Sequence, residues 1–297
     1  MHCEHKRNVA NYDSLTEAIA AAEAGDTVIL LKDVTLEERI VIDSNDDITL
    51  DLNGKTLTTC GTADNYDIVI KGDLTICDSS EEQTGTLVVP GIYGIGVSTT
   101  AGSSLTVESG NFTQIGDYYL IGSWGTVTIN GGNFNAPYCT VNAFAGTANI
   151  TDGSFRSDAS DSILLAGDVV LTGGSYDRDV QEFCANEYIT EAGENETYTV
   201  IPCTHANTTT ETADATCTTD GSVTVTCDDC GKVMSSETIA ATGHVNTTTT
   251  TVDATCTENG TVTVTCDDCG EVLSTETIDA LGHSYDEGVV TAPTCTE

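Results

Sequence analysis

The feature that most restricts the fold of this chain is a period. Four short texts follow one another: LTVESGNF, VTINGGNF, ANITDGSF and VVLTGGSY. Their closing aromatics are Phe112, Phe134, Phe155 and Tyr176, so the steps are 22, 21 and 21 residues. Gly110, Gly132, Gly153 and Gly174 keep the same steps, as do Val107, Ile129, Ile150 and Leu171. A fixed period means stacked units that bury their faces against their neighbours. One strand pattern and one glycine turn per unit predict coils of a parallel β-solenoid, with equivalent apolar residues in rungs about 4.8 Å apart. An antiparallel sandwich would need three position classes to share one spacing by coincidence. A leucine-rich repeat has a similar period, but its L-x-x-L-x-L pattern is missing.

The open end of a solenoid needs a cap. SLTEAIAAAEAGD supplies one: Ser14 and Glu17 form an S-x-x-E capping box, and Gly25 offers a left-handed stop. These signals predict a helix over about 15–24, with Leu15 and Ile19 facing the first coil. Ala18, Ala21 and Ala22 would let it pack closely. TVILLKDVTLEERIVI and DDITLDLNGKTLT then read as short strands between turns.

At Pro202 the text becomes Thr-rich. Residues 206–244 and 245–283 align without a gap over 39 positions, 28 of them identical, and Cys295 lies 39 beyond Cys256. The expected organisation is a linker at 1–13, the solenoid at 14–200, repeats at 201–244 and 245–283, and the start of a further repeat at 284–297. A fourteen-residue piece of a repeat cannot bury its own face, and the N-terminus carries no apolar leader. The sequence therefore reads as part of a longer protein.

Nine basic against 47 acidic residues exclude nucleic acid and anionic membrane as partners, because both require phosphate neutralisation. From 206 to 283 the only Lys or Arg is Lys232. No stretch approaches the roughly 20 apolar residues of a membrane span. The chain is not a disordered one, since 39% of its residues are hydrophobic and they fall in alternating runs.

The run SLTEAIAAAEAGDTVILLKDVTLEERIVI, followed by ITLDLNGKTLT and the GGNF turns, resembles the pectin-lyase-like right-handed β-helix domains of large bacterial surface proteins, common in gut Firmicutes. ATCTTDGSVTVTCDDCGKVMSSETIAATGH is similar to the Cys-rich repeats that accompany them. The resemblance covers about 14–200 and 201–297. It implies an all-β fold: a right-handed parallel β-helix with an N-terminal capping helix, then small β-hairpin repeats. It also implies secretion or display on a bacterial surface, in an adhesive or stalk-like role with no assigned chemistry.

Each repeat carries three cysteines and one histidine at recurring positions: Cys217, Cys227, Cys230 and His244, then Cys256, Cys266, Cys269 and His283. An odd number of cysteines cannot close by disulfides inside one unit, and a histidine travelling with them makes up a Cys3His zinc set. Disulfides, Cys227–Cys230 or Cys217 to one of them, are the other reading, and an extracellular setting favours them. If Asp220-Gly221 is a two-residue hairpin turn, Cys217 pairs near Thr224 and sits roughly 10 Å from Cys227. Then either the loop is irregular or Cys217 belongs to a different site. His205 is the alternative histidine for the first repeat. Cys3-x-His5 echoes Cys203-x-His205, suggesting a similar preceding module. A redox dithiol is disfavoured, because the motif lies in strand text beside Asp228 and Asp229.

Polysaccharide lyases on this fold use a base, often arginine, beside calcium-binding carboxylates, so calcium is the second cation to consider. Arg156 and Arg178 read as solvated turn residues, and Asp46-Asp47 as a turn before a strand. Cys60, Cys77, Cys139 and Cys184 read as buried small hydrophobes. GDYYLIGSWG carries Tyr118, Tyr119 and Trp124, which could stack on sugar faces. The expected molecule is a non-catalytic surface protein whose partner is a host or environmental glycan or protein surface. The rivals are a filament subunit, self-associating through its incomplete C-terminal repeat, and a polysaccharide-acting enzyme.

Overall fold

A computed structural model describes residues 10–99, 102–158, 164–165, 168–284 and 288. Cys3, His5 and Cys295 lie outside them. The chain divides into two compact units, Met1–Thr204 and His205–Glu297.

The first unit is a three-sided parallel solenoid. Its first face has seven strands, from Asp26–Ile29 to Asp168–Leu171. The second runs from Val34–Thr35 to Ser175–Tyr176, with Tyr198–Pro202 and then Tyr188–Ala192 added antiparallel. The third has six strands, from Ile40–Ile42 to Leu164–Leu165. The chain visits the faces in turn, so each strand pairs with its equivalent one coil away.

The periodic residues become the rungs. Leu50, Ile76, Val107, Ile129, Ile150 and Leu171 stack on the first face, all buried. On the second, Phe112, Phe134, Phe155 and Tyr176 form a buried ladder with ring centroids 4.8, 4.7 and 5.1 Å apart and planes within 9° of parallel. The preceding glycine of each coil turns the chain into that face with positive φ, 107° at Gly132 and 127° at Gly153. A side chain there would be strained and would crowd the ladder. Burial of this kind contributes about 1.5–3 kcal/mol per large apolar side chain.

The cap is a helix over Leu15–Ala21, with the Glu17 N–H donating to Ser14 Oγ at 3.1 Å. Leu15 and Ile19 join the core and Ala22 packs against it, whereas Ala21 faces solvent. The helix ends at Ala21, four residues before Gly25, because that glycine is already used by the first coil, where its N–H donates to Asp47 O at 2.6 Å.

Buried carboxylates brace the corners. Asp67 accepts from the Thr62 N–H at 2.8 Å, the Gly61 N–H at 3.0 Å and the Thr59 hydroxyl at 2.5 Å. Asp78 accepts from the N–H groups of Gly54, Ser80 and Gly85. Burial pushes the Asp78 carboxyl up, but those hydrogen bonds outweigh it and hold it below its ordinary range.

The second unit contains two three-stranded antiparallel sheets. One has strands Thr208–Ala213, Gly221–Cys227 and Val233–Ile239; the other has Thr247–Val252, Gly260–Cys266 and Val272–Ile278. The hairpin around each Cys-x-x-Cys is present, but Asp220-Gly221 is not a two-residue hairpin turn. Thr224 pairs with Glu211 and Ser236, and Cys217 lies in the loop between the first two strands. The partner strand is the Thr-rich run, which no apolar alternation announces because all six of its residues are exposed. Among the described residues no helix is long and apolar enough to cross a membrane.

Candidate functional site

Strand geometry decides how the cysteines group. Cys217 lies just before the start of Gly221–Cys227, whereas Cys227 and Cys230 lie at its far end. Six residue steps of extended strand separate those ends by about 20 Å. Cys217 therefore cannot share an ion with Cys227 and Cys230 of its own repeat, as grouping by repeat required. The connection to the next repeat runs past it instead. Thr242 N–H donates to Thr216 O at 2.9 Å and Gly243 N–H to Cys217 O at 3.1 Å, which brings His244 alongside.

The second repeat's turn meets it there. Ligand atoms of Cys217, His244, Cys266 and Cys269 all lie within 4.8 Å of one another. Cys217 Sγ and Cys266 Sγ are 3.7 Å apart, and Cys269 Sγ is 3.5 Å from His244 Nδ1. Sulfurs about 2.3 Å from one tetrahedral ion stand about 3.8 Å apart, and a sulfur and an imidazole nitrogen about 3.5 Å apart. A disulfide would need about 2.0 Å. The set thus has the edge lengths of a tetrahedral thiolate–imidazole centre and is compatible with a metal such as zinc. His205, Cys227 and Cys230 repeat the arrangement in the first repeat, with His205 Nδ1 3.4 Å from Cys230 Sγ. The alternative histidine, His205, takes the place beside this turn, and His244 moves to the later set.

The turns are built for this. Gly231 and Gly270 follow the second cysteine with φ of 73° and 77°, and their N–H groups donate back to Cys227 O and Cys266 O at 2.9 and 2.8 Å. His244 beside Cys266 brings that thiol down to about 7 against the effect of burial, helped by the N–H groups of Cys269 and Asp268. Burial lifts Cys217 to about 11, and the neighbouring Cys266 and Cys269 sulfurs add to it. His244 Nε2 lies 3.3 Å from Glu271, so a carboxylate orients the ring. The equivalent residue in the first repeat is Lys232. Cys256 and His283 stand where Cys217 and His244 do one repeat earlier, and Cys256 is exposed.

Tyr118, Tyr119 and Trp124 do come together on the outside of the solenoid's third face. They line an open pocket of about 430 Å3 with Tyr66, Tyr93 and Phe144, and Asp64 and Asn65 stand at its edge. Sequence reading missed Tyr66 and Tyr93 because the coils before Val107 have longer, irregular spacing. Their signal is positional: Tyr66 and Tyr93 are register partners on adjacent coils.

The remaining candidates have structural places. Arg178 is held by Asp177 at 3.0 Å and Ser157 O at 2.9 Å, so it is not a solvated turn residue; Arg156 is exposed. Asp46 braces a turn by accepting from Asp43 N–H at 2.7 Å. Cys77 is buried but disulfide-bonded, so it is more than a small hydrophobe; Cys139 is buried, and Cys60 and Cys184 are half-buried. Compared with known proteins, the chain matches no family model, no curated protein and no solved structure.

Proposed function

We propose that the protein is a non-catalytic, secreted or surface-displayed structural protein of bacterial type, in which a β-solenoid display domain precedes repeats clamped to one another by zinc. The observation that carries this reading is the four-donor set drawn from two successive repeats. Cys217 and His244 come from one, Cys266 and Cys269 from the next. An ion there joins unit to unit instead of closing a single loop. The repeats need such a joint, because Cys217, Cys227 and Cys266 are the only buried side chains among the described residues of 206–284. Structural zinc contributes about 10–16 kcal/mol in small domains that lack a core.

The β-helix display reading is supported by the stacked coils and the helix that caps them. In the non-catalytic part of this reading the buried carboxylates Asp67 and Asp78 are corner braces, their oxygens occupied by backbone N–H groups. Turnover of uronate or neutral glycans by the purified chain would overturn that part.

Native mass spectrometry tests the clamp. Two zinc ions are expected on the intact chain. Cys217→Ser and Cys266→Ser should each remove one ion, and the double variant should still lose only one. Loss of two ions in the double variant would restore grouping by repeat. A mass deficit of two protons per cysteine pair, with no metal, would replace the clamp by disulfides.

A further inference from the structure

The aromatic pocket on the third face has a chemistry of its own. Its floor is made by absent side chains. Gly96 and Gly122 are register partners on the outward row, and a Cβ at either would collide with the Tyr66 ring. The ring therefore lies down across two coils, and its neighbours rise around it. Trp124 stands at 88° to Tyr66 at 6.0 Å, Phe144 at 89° to Tyr119 at 5.2 Å, and Tyr93 at 46° to Tyr66 at 5.2 Å. Rings at such angles wall a box; a flat saccharide face asks for one open plane. Trp124 and Phe144, stacked at 4.6 Å, form one wall and are each 37% exposed, so ring surface remains open to a ligand.

The charge at the pocket has one sign. Asp64 is at the edge, no lysine or arginine is among the lining residues, and the chain carries −38 overall. Aromatic faces and a carboxylate both present negative potential, which favours a cation that is large, weakly hydrated and able to touch several rings.

We propose that this pocket binds an organic ammonium cation of the quaternary, choline-like class, with Tyr66, Tyr93 and Trp124 in contact with the methyl-covered charge and Asp64 supplying longer-range attraction. The proposal is independent of the zinc clamp, since no donor of either metal set lines the pocket.

Trp124 is the only tryptophan, so its fluorescence reports this site directly. The test titrates the full chain with choline chloride, with its uncharged isostere 3,3-dimethylbutan-1-ol, and with cellobiose. Choline should give a saturable change with a midpoint of about 1 mM or below, and the isostere should bind at least tenfold more weakly. Asp64→Asn should weaken choline binding about threefold. Gly122→Ala, which displaces Tyr66, should abolish it, with the circular dichroism spectrum checking the fold. Phosphatidylcholine vesicles distinguish the source: co-sedimentation with them places the cation on a lipid headgroup, and choline binding without it places the cation on a soluble molecule. Equal binding of the isostere, saturable binding of cellobiose in place of choline, or no saturable response to choline would each overturn the proposal.

Discussion

The solenoid and the Thr-rich repeats hold β-strands together by opposite means. In the solenoid every coil sends apolar side chains inward from three faces, and large residues such as Phe112, Phe134 and Ile70 are wholly buried. In the repeats the middle strand shows no fully buried residue between its end positions, and both flanking strands of the first sheet are exposed throughout. A stack of coils gains burial with each added unit, whereas a lone three-stranded sheet has nothing to pack against. The cysteines and histidines sit at the repeat ends, where a long-range contact is most needed.

Removing metal should separate the two regions most sharply. Chelation under reducing conditions is expected to abolish amide protection in Gly221–Cys227 and Gly260–Cys266 while leaving the solenoid strands protected, read by hydrogen–deuterium exchange. Equal protection in both regions before and after chelation would erase the contrast. The reverse experiment strikes the solenoid: Phe134→Ala should cost about 3–5 kcal/mol, because it opens a cavity between two stacked rings, with no change in bound zinc. Denaturant unfolding and metal analysis on the same sample check both halves.

Smaller effects sharpen the comparison within each region. Glu271→Gln should weaken zinc at the second set by about tenfold, since the carboxylate no longer orients His244. Competition with a chromophoric chelator measures it. The first set, with Lys232 in that place, should already be the weaker of the two and change little.

The smallest effect expected is one of pH. Asp78 has its carboxyl held below the ordinary range, so its contribution is complete above about pH 4 and is lost as pH falls through the lowered value. Asp78→Asn should remove about 1–2 kcal/mol at neutral pH and flatten the acid limb of the solenoid's stability curve. An unchanged acid limb would remove Asp78 from the account.

The sequence by itself determined which residues are equivalent. The 21- and 22-residue steps placed the phenylalanine ladder and its glycine corners, because a solenoid repeats its chemistry at the interval at which it repeats its shape. The capping box likewise announced the helix, since a cap is a local hydrogen bond. In the repeats the period of 39 marked six of the residues that cluster, Cys217, Cys227, Cys230, His244, Cys266 and Cys269, but neither their grouping nor His205, which the sequence offered only as an alternative. A periodic text is unchanged if each set is drawn from one repeat or from two.

Only the tertiary structure decided that. Seven extended residues hold Cys217 away from Cys227, and the backbone bonds from Thr242 and Gly243 carry His244 past Cys217 to the next repeat's turn. The aromatic pocket was decided in the same way. Tyr66 and Trp124 are 58 positions apart in the sequence and become neighbours only because the coils between them stack at rung spacing. Local patterns record what a residue does to its own segment. Which distant segments share an ion or a ligand depends on strand length and register, and those are settled when the coils and sheets close.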